Sequence, residues 1–220
     1  MVDKLPYKAI TLLDANYPQC LKHIYKPPIV LFYYGDISLI GDYDRNISIV
    51  GSRENSEYGA NITREIAGGL AEKGYVIVSG LARGIDGIAH ASAIEKGGKT
   101  VAILGCGIDI CYPSENLELY REIKENHLLI SEYPGNTSIQ PYYFPIRNRI
   151  IAGLSKTLVV TEAFHSSGSL ITAALALQGN TDVMCVPHEA GKQSGCNKLI
   201  SLGAFLVESA EDVIEQMSPF

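Results

Sequence analysis

The chain has 220 residues, 46% hydrophobic and 19% charged, with a formal net charge of −6. That length buries a substantial core, and the acidic balance argues against non-specific wrapping of duplex DNA over the whole surface. The five cysteines (Cys20, Cys106, Cys111, Cys185, Cys196) form no C-x-x-C pair, which argues against zinc. No apolar run approaches the roughly 20 residues of a membrane span.

Residues 1–40 are rich in Pro and Tyr and read as an N-terminal lead-in segment packed on the main domain, adding an edge strand through Ile29–Tyr34. The main domain is expected over 41–220. There, short β-branched runs alternate with amphipathic segments: Ile47–Val50, a helix near 56–73, Tyr75–Val78, a helix near 85–97, Thr100–Leu104 and a helix near 114–125. The alternation continues with Leu128–Ile130, a helix near 144–154, Thr157–Val160, a helix near 168–178, Asp182–Val186, a helix near 195–202 and Phe205–Val207. Continuous apolar strands separated by single helices predict an α/β fold: an extended Rossmann-like, doubly wound, mostly parallel sheet with helices on both faces.

In such a sheet ligands bind beyond the carboxyl ends of the strands. Four strand ends carry loops suited to anions: Gly51-Ser52-Arg53; Ser79-Gly80 through Arg83-Gly84-Ile85-Asp86; Gly105-Cys106-Gly107; and Thr161-Glu162 leading to Ser167-Gly168-Ser169. Glycine admits close backbone approach, hydroxyls donate, and the next helix N-terminus attracts negative charge. Four of the seven arginines (Arg53, Arg83, Arg147, Arg149) fall in or beside Gly/Ser-rich turns. Their rigid forks match phosphate oxygens.

Two familiar motifs fail. Gly105-Cys106-Gly107 lacks the third glycine of a dinucleotide fingerprint, and Gly98-Lys99-Thr100 has Ala93 where a Walker A loop needs its first glycine. Asp86 and His90 share a helix face. They read either as an acid/base or metal pair, or as structural groups, Asp86 orienting Arg83 and His90 satisfying a buried carbonyl. Glu162 at a strand end is either catalytic or the salt-bridge partner of Arg147 or Arg149. Tyr142 and Tyr143 either stack on bases or pack against the lead-in.

The ordered series Gly51-Ser52-Arg53, Ser79-Gly80-x-Ala82-Arg83-Gly84-Ile85-Asp86, Ser131-Glu132-Tyr133-Pro134, Phe144-Pro145-x-Arg147-Asn148-Arg149 and Glu162-Ala163 before Ser167-Gly168-Ser169 resembles the DprA/Smf family. Gly195-x-Asn197-x-Leu199-Ile200 extends the match, which runs from about residue 10 to 208. The resemblance implies binding of single-stranded DNA without enzymatic turnover, homodimerisation, and loading of the RecA recombinase during natural transformation; no cofactor is expected, and the odd cysteine count with the globular composition favours a reduced, cytoplasmic setting.

It maps DNA binding onto Gly51, Ser52, Arg53, Arg147, Asn148, Arg149, Ser167, Gly168 and Ser169. Arg83, Asp86, Gly105, Gly107 and Glu162 are supporting candidates. Arg53 and Arg149 are expected on phosphates, the Ser167–Ser169 amides on another, and Asn148 on a base edge or the loop. His188 stands where many members have glycine. The upstream helical and downstream winged-helix domains of some members are not expected here, the lead-in being short and the chain stopping at Phe220. The dimer surface is sought in the C-terminal amphipathic stretch with Leu202, Phe205, Val207 and Ile214, which serve equally well as core. The alternative is a nucleotide-binding enzyme such as a nucleoside-monophosphate phosphoribohydrolase, using Glu162 and the same loops.

Overall fold

The computed structural model describes residues 5–165 and 167–217. In chain order the elements are β1 (Lys8–Thr11), α1 (Gln19–Lys22), β2 (Val30–Gly35), β3 (Asn46–Gly51), α2 (Glu57–Glu72), β4 (Val76–Ser79), α3 (Ile85–Glu95), β5 (Lys99–Gly107) and α4 (Leu117–Asn126). They continue with β6 (Leu128–Tyr133), α5 (Tyr143–Gly153), β7 (Thr157–Glu162), α6 (Gly168–Gln178), β8 (Asp182–Cys185), α7 (Gly195–Ser201), β9 (Phe205–Leu206) and α8 (Ala210–Met217).

The strands form one sheet in the order β1-β2-β6-β5-β4-β3-β7-β8-β9. All pairs from β6 to β9 are parallel, while β1 and β2 add antiparallel strands at one edge. This is the doubly wound Rossmann-like architecture. The strand order reverses at the β3–β7 pair, so the crevice beyond those two carboxyl ends is the natural ligand position.

Burial on both faces explains the continuous apolar strands. Ile47 and Ile49 of β3 pack with Ile66 and Leu70 of α2 and Ile85 and Ala89 of α3. Val50, one residue out of phase, packs on the other face with Ile150 and Ile151 of α5 and Ala173 of α6. The polar residues of β3 have work inside. Ser48 Oγ donates to Ile151 O (2.7 Å) and Asn46 Nδ2 to Leu154 O (3.0 Å), tying off the carbonyl end of α5 and fixing it over the sheet.

Two ends of the chain differ from the sequence expectation. The lead-in contributes two paired strands instead of one, held by buried Tyr17, whose hydroxyl donates to Pro28 O (2.6 Å). The C-terminal stretch splits by role. Val207 and Val213 are fully buried against α2, whereas Leu202 and Phe205 remain exposed.

Candidate functional site

At the reversal point lies a cleft of ≈ 490 Å³. Its walls come from the β3–α2 loop (Gly51–Glu54), the β4–α3 turn (Ala82, Arg83, Asp86), one side of α5 (Phe144, Arg147, Asn148) and the first turn of α6 (Ser167–Ser169). Segments far apart in sequence therefore meet because each follows a strand of the same parallel sheet.

Arg53 and Arg83 are exposed at the mouth, and among the described residues neither guanidinium makes a hydrogen bond or ion pair. The Arg53 guanidinium carbon stands 5.7 Å from the Phe144 ring centroid, a cation–π contact that leaves its edge donors free. Arg147 is different. It is 4% exposed, and Nη1 donates to Gly80 O (2.7 Å) and to Ile103 O, joining the turn after β4 to the middle of β5. Its Nε donates to Asn148 Oδ1 (3.2 Å), which orients the amide at the cleft wall. Burial lowers the Arg147 pKa to about 10, with Asp86 opposing that shift, so the group stays cationic at neutral pH. Burial pushes the Asp86 carboxyl up against the pull of Arg147.

A methyl group at Gly80 would sit 2.5 Å from Arg147 Nη2, so this turn needs glycine to seat the guanidinium. At the opposite wall α6 starts bare. Ser167 has the extended backbone of an N-cap, yet its side chain bonds Ser169 Oγ (2.7 Å) instead of capping an amide. The Gly168 and Ser169 N–H groups, without an acceptor among the described residues, thus open on the cleft, while Leu170 N donates to Ser167 O (3.1 Å); Gly168 leaves open space before them. Two amides at the start of an 11-residue helix and two guanidinium groups, all without a hydrogen-bond partner among the described residues, together with one buried guanidinium, create a receptor for phosphate oxygens.

The structure places several of the candidates outside this cleft. Arg149 lies about 200° around α5 from Arg147 and does not line the cleft. It grips Glu132 bidentately (Nη1–Oε2 and Nη2–Oε1, both 2.6 Å) and donates to Lys26 O (2.9 Å). Neither arginine pairs with Glu162. That carboxylate, 3% exposed, accepts from Ser56 N (2.8 Å) just before α2 and lies outside the cleft. Gly105 and Gly107 also lie outside it. Gly105 makes room for the Phe144 ring, 2.7 Å from a built Cβ, and Gly107 for the backbone of Gly135 and Thr137. Asp86 accepts from Gly80 N (3.2 Å), and among the described residues no hydrogen bond or ion pair ties it to Arg83.

His90 reaches a carbonyl only indirectly: Nδ1 meets Thr100 Oγ1 (2.6 Å), which donates to Ile77 O (2.6 Å). Tyr143 stacks on Tyr133 at 3.8 Å, with Tyr142 edge-on to it, and neither lines the cleft. The sequence reading assigned no role to Phe144 or Phe164, which wall the cleft on either side. Their positions flanking the Arg-Asn-Arg and Ser-Gly-Ser elements were the available signal.

The sequence model of a family described as DNA recombination-mediator protein A matches residues 8–218. The chain is 42% identical over 210 residues to the DNA processing protein DprA of Bacillus subtilis (strain 168), covering 94% of this chain and 70% of the relative. The crystal structure of DNA processing protein A from Streptococcus pneumoniae superposes with a TM-score of 0.92 at 40% identity, covering 98% of this chain and 76% of that one. A structure of DNA processing protein A from Helicobacter pylori, concerned with its single-stranded DNA binding mode, gives 0.88 at 29% identity, covering 99% and 98%.

Proposed function

The chain belongs to the DNA recombination-mediator protein A family, and on that premise we propose that it binds single-stranded DNA in the cleft at the β3–β7 reversal. One observation carries this reading. Arg53, Arg83 and the Gly168 and Ser169 amides of α6 converge on one cleft with no hydrogen bond or ion pair to a carboxylate among the described residues, over a floor where buried Arg147 offsets the Asp86 carboxylate. Two or three successive phosphates thread past them, Arg53 and Arg83 gripping oxygens at the mouth and the Gly168 and Ser169 amides holding another. Asn148, its carbonyl fixed by Arg147, turns its amide nitrogen toward the strand.

The protein acts by binding, without turnover, as a homodimer that hands the strand to RecA in the cytoplasm. The single-strand binding mode of the Helicobacter pylori relative supports the ligand. Exposed Leu202, Phe205 and Leu206 around the edge strand β9 support a self-association surface. No helix among the described residues is long and apolar enough to cross a membrane.

The test is a titration with single-stranded oligonucleotides of increasing length at several salt concentrations. Affinity should rise with length, and log K should fall against log salt by about 0.7 per phosphate contacted. Length-independent binding, or release of a free base from a mononucleotide that stops in Glu162→Gln, would instead establish the small-ligand hydrolase.

A further inference from the structure

Beyond Phe164, on the side away from the phosphate cleft, lies a second recess of ≈ 440 Å³ lined by Tyr58, Glu162, Phe164, Pro187, His188 and Ser194. Its floor is the buried Glu162 carboxylate, whose two oxygens have different fates. Oε2 accepts from Ser56 N, whereas Oε1 has no hydrogen-bond partner among the described residues. The surrounding polar groups already make hydrogen bonds, Ser56 and Ser194 as acceptors. His188 Nε2 meets Thr161 O (3.0 Å), the Tyr58 hydroxyl donates to Pro187 O (3.1 Å), and Ser194 Oγ accepts from Asn197 N (3.2 Å). Lys192 is held by Glu189 (2.9 Å). The recess therefore offers, beside the outer Glu189–Lys192 pair, a buried carboxylate oxygen that calls for a donor, with the Phe164 and Tyr58 rings in its lining.

Those walls are aromatic and partly open. Phe164 is 43% and Tyr58 48% exposed. Tyr58 is braced edge-on by His188 at 5.2 Å, and His188 is in turn pinned at both its N–H and its C=O by the Asn197 amide (2.9 and 2.8 Å). No group of three or more His, Cys, Asp or Glu side chains among the described residues is placed to hold a metal ion. An aromatic slot with a single carboxylate oxygen at its base suits a planar ring carrying an amino group.

We propose that this recess receives one base of the bound strand and that Glu162 Oε1 selects for an exocyclic amino group. The proposal rests on the single-strand reading above. Phe164 walls both cavities, so a phosphate at α6 and a base beyond Phe164 belong to neighbouring parts of one chain. Cytosine presents its N4 amino group as a donor, whereas uracil and thymine present the O4 acceptor at the same ring position. Against Glu162 the first forms a charge-assisted hydrogen bond, and the second sets two acceptors face to face.

Fluorescence anisotropy with labelled oligo(dC) and oligo(dU) of equal length and at equal salt tests this directly. The protein should bind oligo(dC) about tenfold more tightly, the lower end of discrimination by a hydrogen-bonded base contact. In Glu162→Gln the side-chain carbonyl can keep Ser56 N and turn the amide NH₂ into the recess, which shifts the preference toward oligo(dU). Phe164→Ala should weaken both polymers about tenfold by removing a stacking wall, and it stands as the second variant if Glu162→Gln fails to fold. Equal affinity of the unmodified protein for the two polymers overturns base selection while leaving single-strand binding intact. Binding of neither polymer overturns the reading beneath it.

Discussion

Replacing Arg149 and Arg53 one at a time separates a clamp from a ligand-binding group, although the sequence presents both as candidate phosphate contacts. Arg149 and Glu132 side chains are 11% and 17% exposed, and the pair is bidentate. Truncating Arg149 to alanine strands Glu132 and frees Lys26 O and Ile146 O. Removing one partner of a buried pair costs about 3–5 kcal/mol, and the residual exposure here brings the figure to about 2–4 kcal/mol. At about 2–4 °C per kcal/mol for a chain of this size, Tm should fall by roughly 4–16 °C.

Arg53→Ala loses only an exposed cation–π contact, about 0.5–1 kcal/mol, so its Tm should stay within a few degrees. Its salt slope should drop by about 0.7 per phosphate released, so its deficit relative to the parent shrinks about 2.6-fold per contact between 50 and 200 mM salt. Urea denaturation and oligonucleotide titration of both variants decide the matter. If Arg149→Ala melts like the parent while flattening the salt slope, the division of roles argued here is wrong.

Gly80→Ala forces a methyl group to 2.5 Å from the Arg147 guanidinium and should cost about 2–4 kcal/mol in urea denaturation, with weaker oligonucleotide binding. Burial depresses the His90 pKa to about 3, with Arg147 and His127 acting in the same sense. The unfolded chain then takes up a proton that the folded one refuses, so stability falls as pH drops from about 6.5 toward 3, by on the order of 4 kcal/mol. That slope should flatten in His90→Asn, whatever the variant's stability at neutral pH, when urea midpoints are compared across the range. Gly107→Ala drives a methyl group into the Gly135 and Thr137 backbone and should lower Tm markedly, whereas Gly168→Ala, with open space at that position, should melt like the parent.

The alternation of strands and helices was readable because each inner strand is buried on both faces and so spells a short apolar run, as in Ile47–Val50 and Leu158–Val160. The β3, β4 and α6 loops were equally readable as one site, since strand ends of a parallel sheet must lie on one side. What the sequence did not show is which way α5 faces. Ile146, Ile150 and Ile151 surround its arginines, so no polar stripe distinguishes Arg147 from Arg149. Glu132, the residue that captures Arg149, lies 17 positions upstream on another element. The glycines misled for a related reason. Close approach was correctly inferred, but at Gly80, Gly105 and Gly107 the approaching group is the protein's own.

The two arginines of α5 have a consequence for the mechanics of the molecule. Arg147 bolts the helix inward to the turn after β4 and the middle of β5, while Arg149 bolts it outward to Lys26 and β6. One three-turn helix thus links the amino-terminal segment to the wall that lines the cleft. Shortening or loosening the first thirty residues will accordingly be felt at the mouth of the cleft, at a distance no direct contact spans.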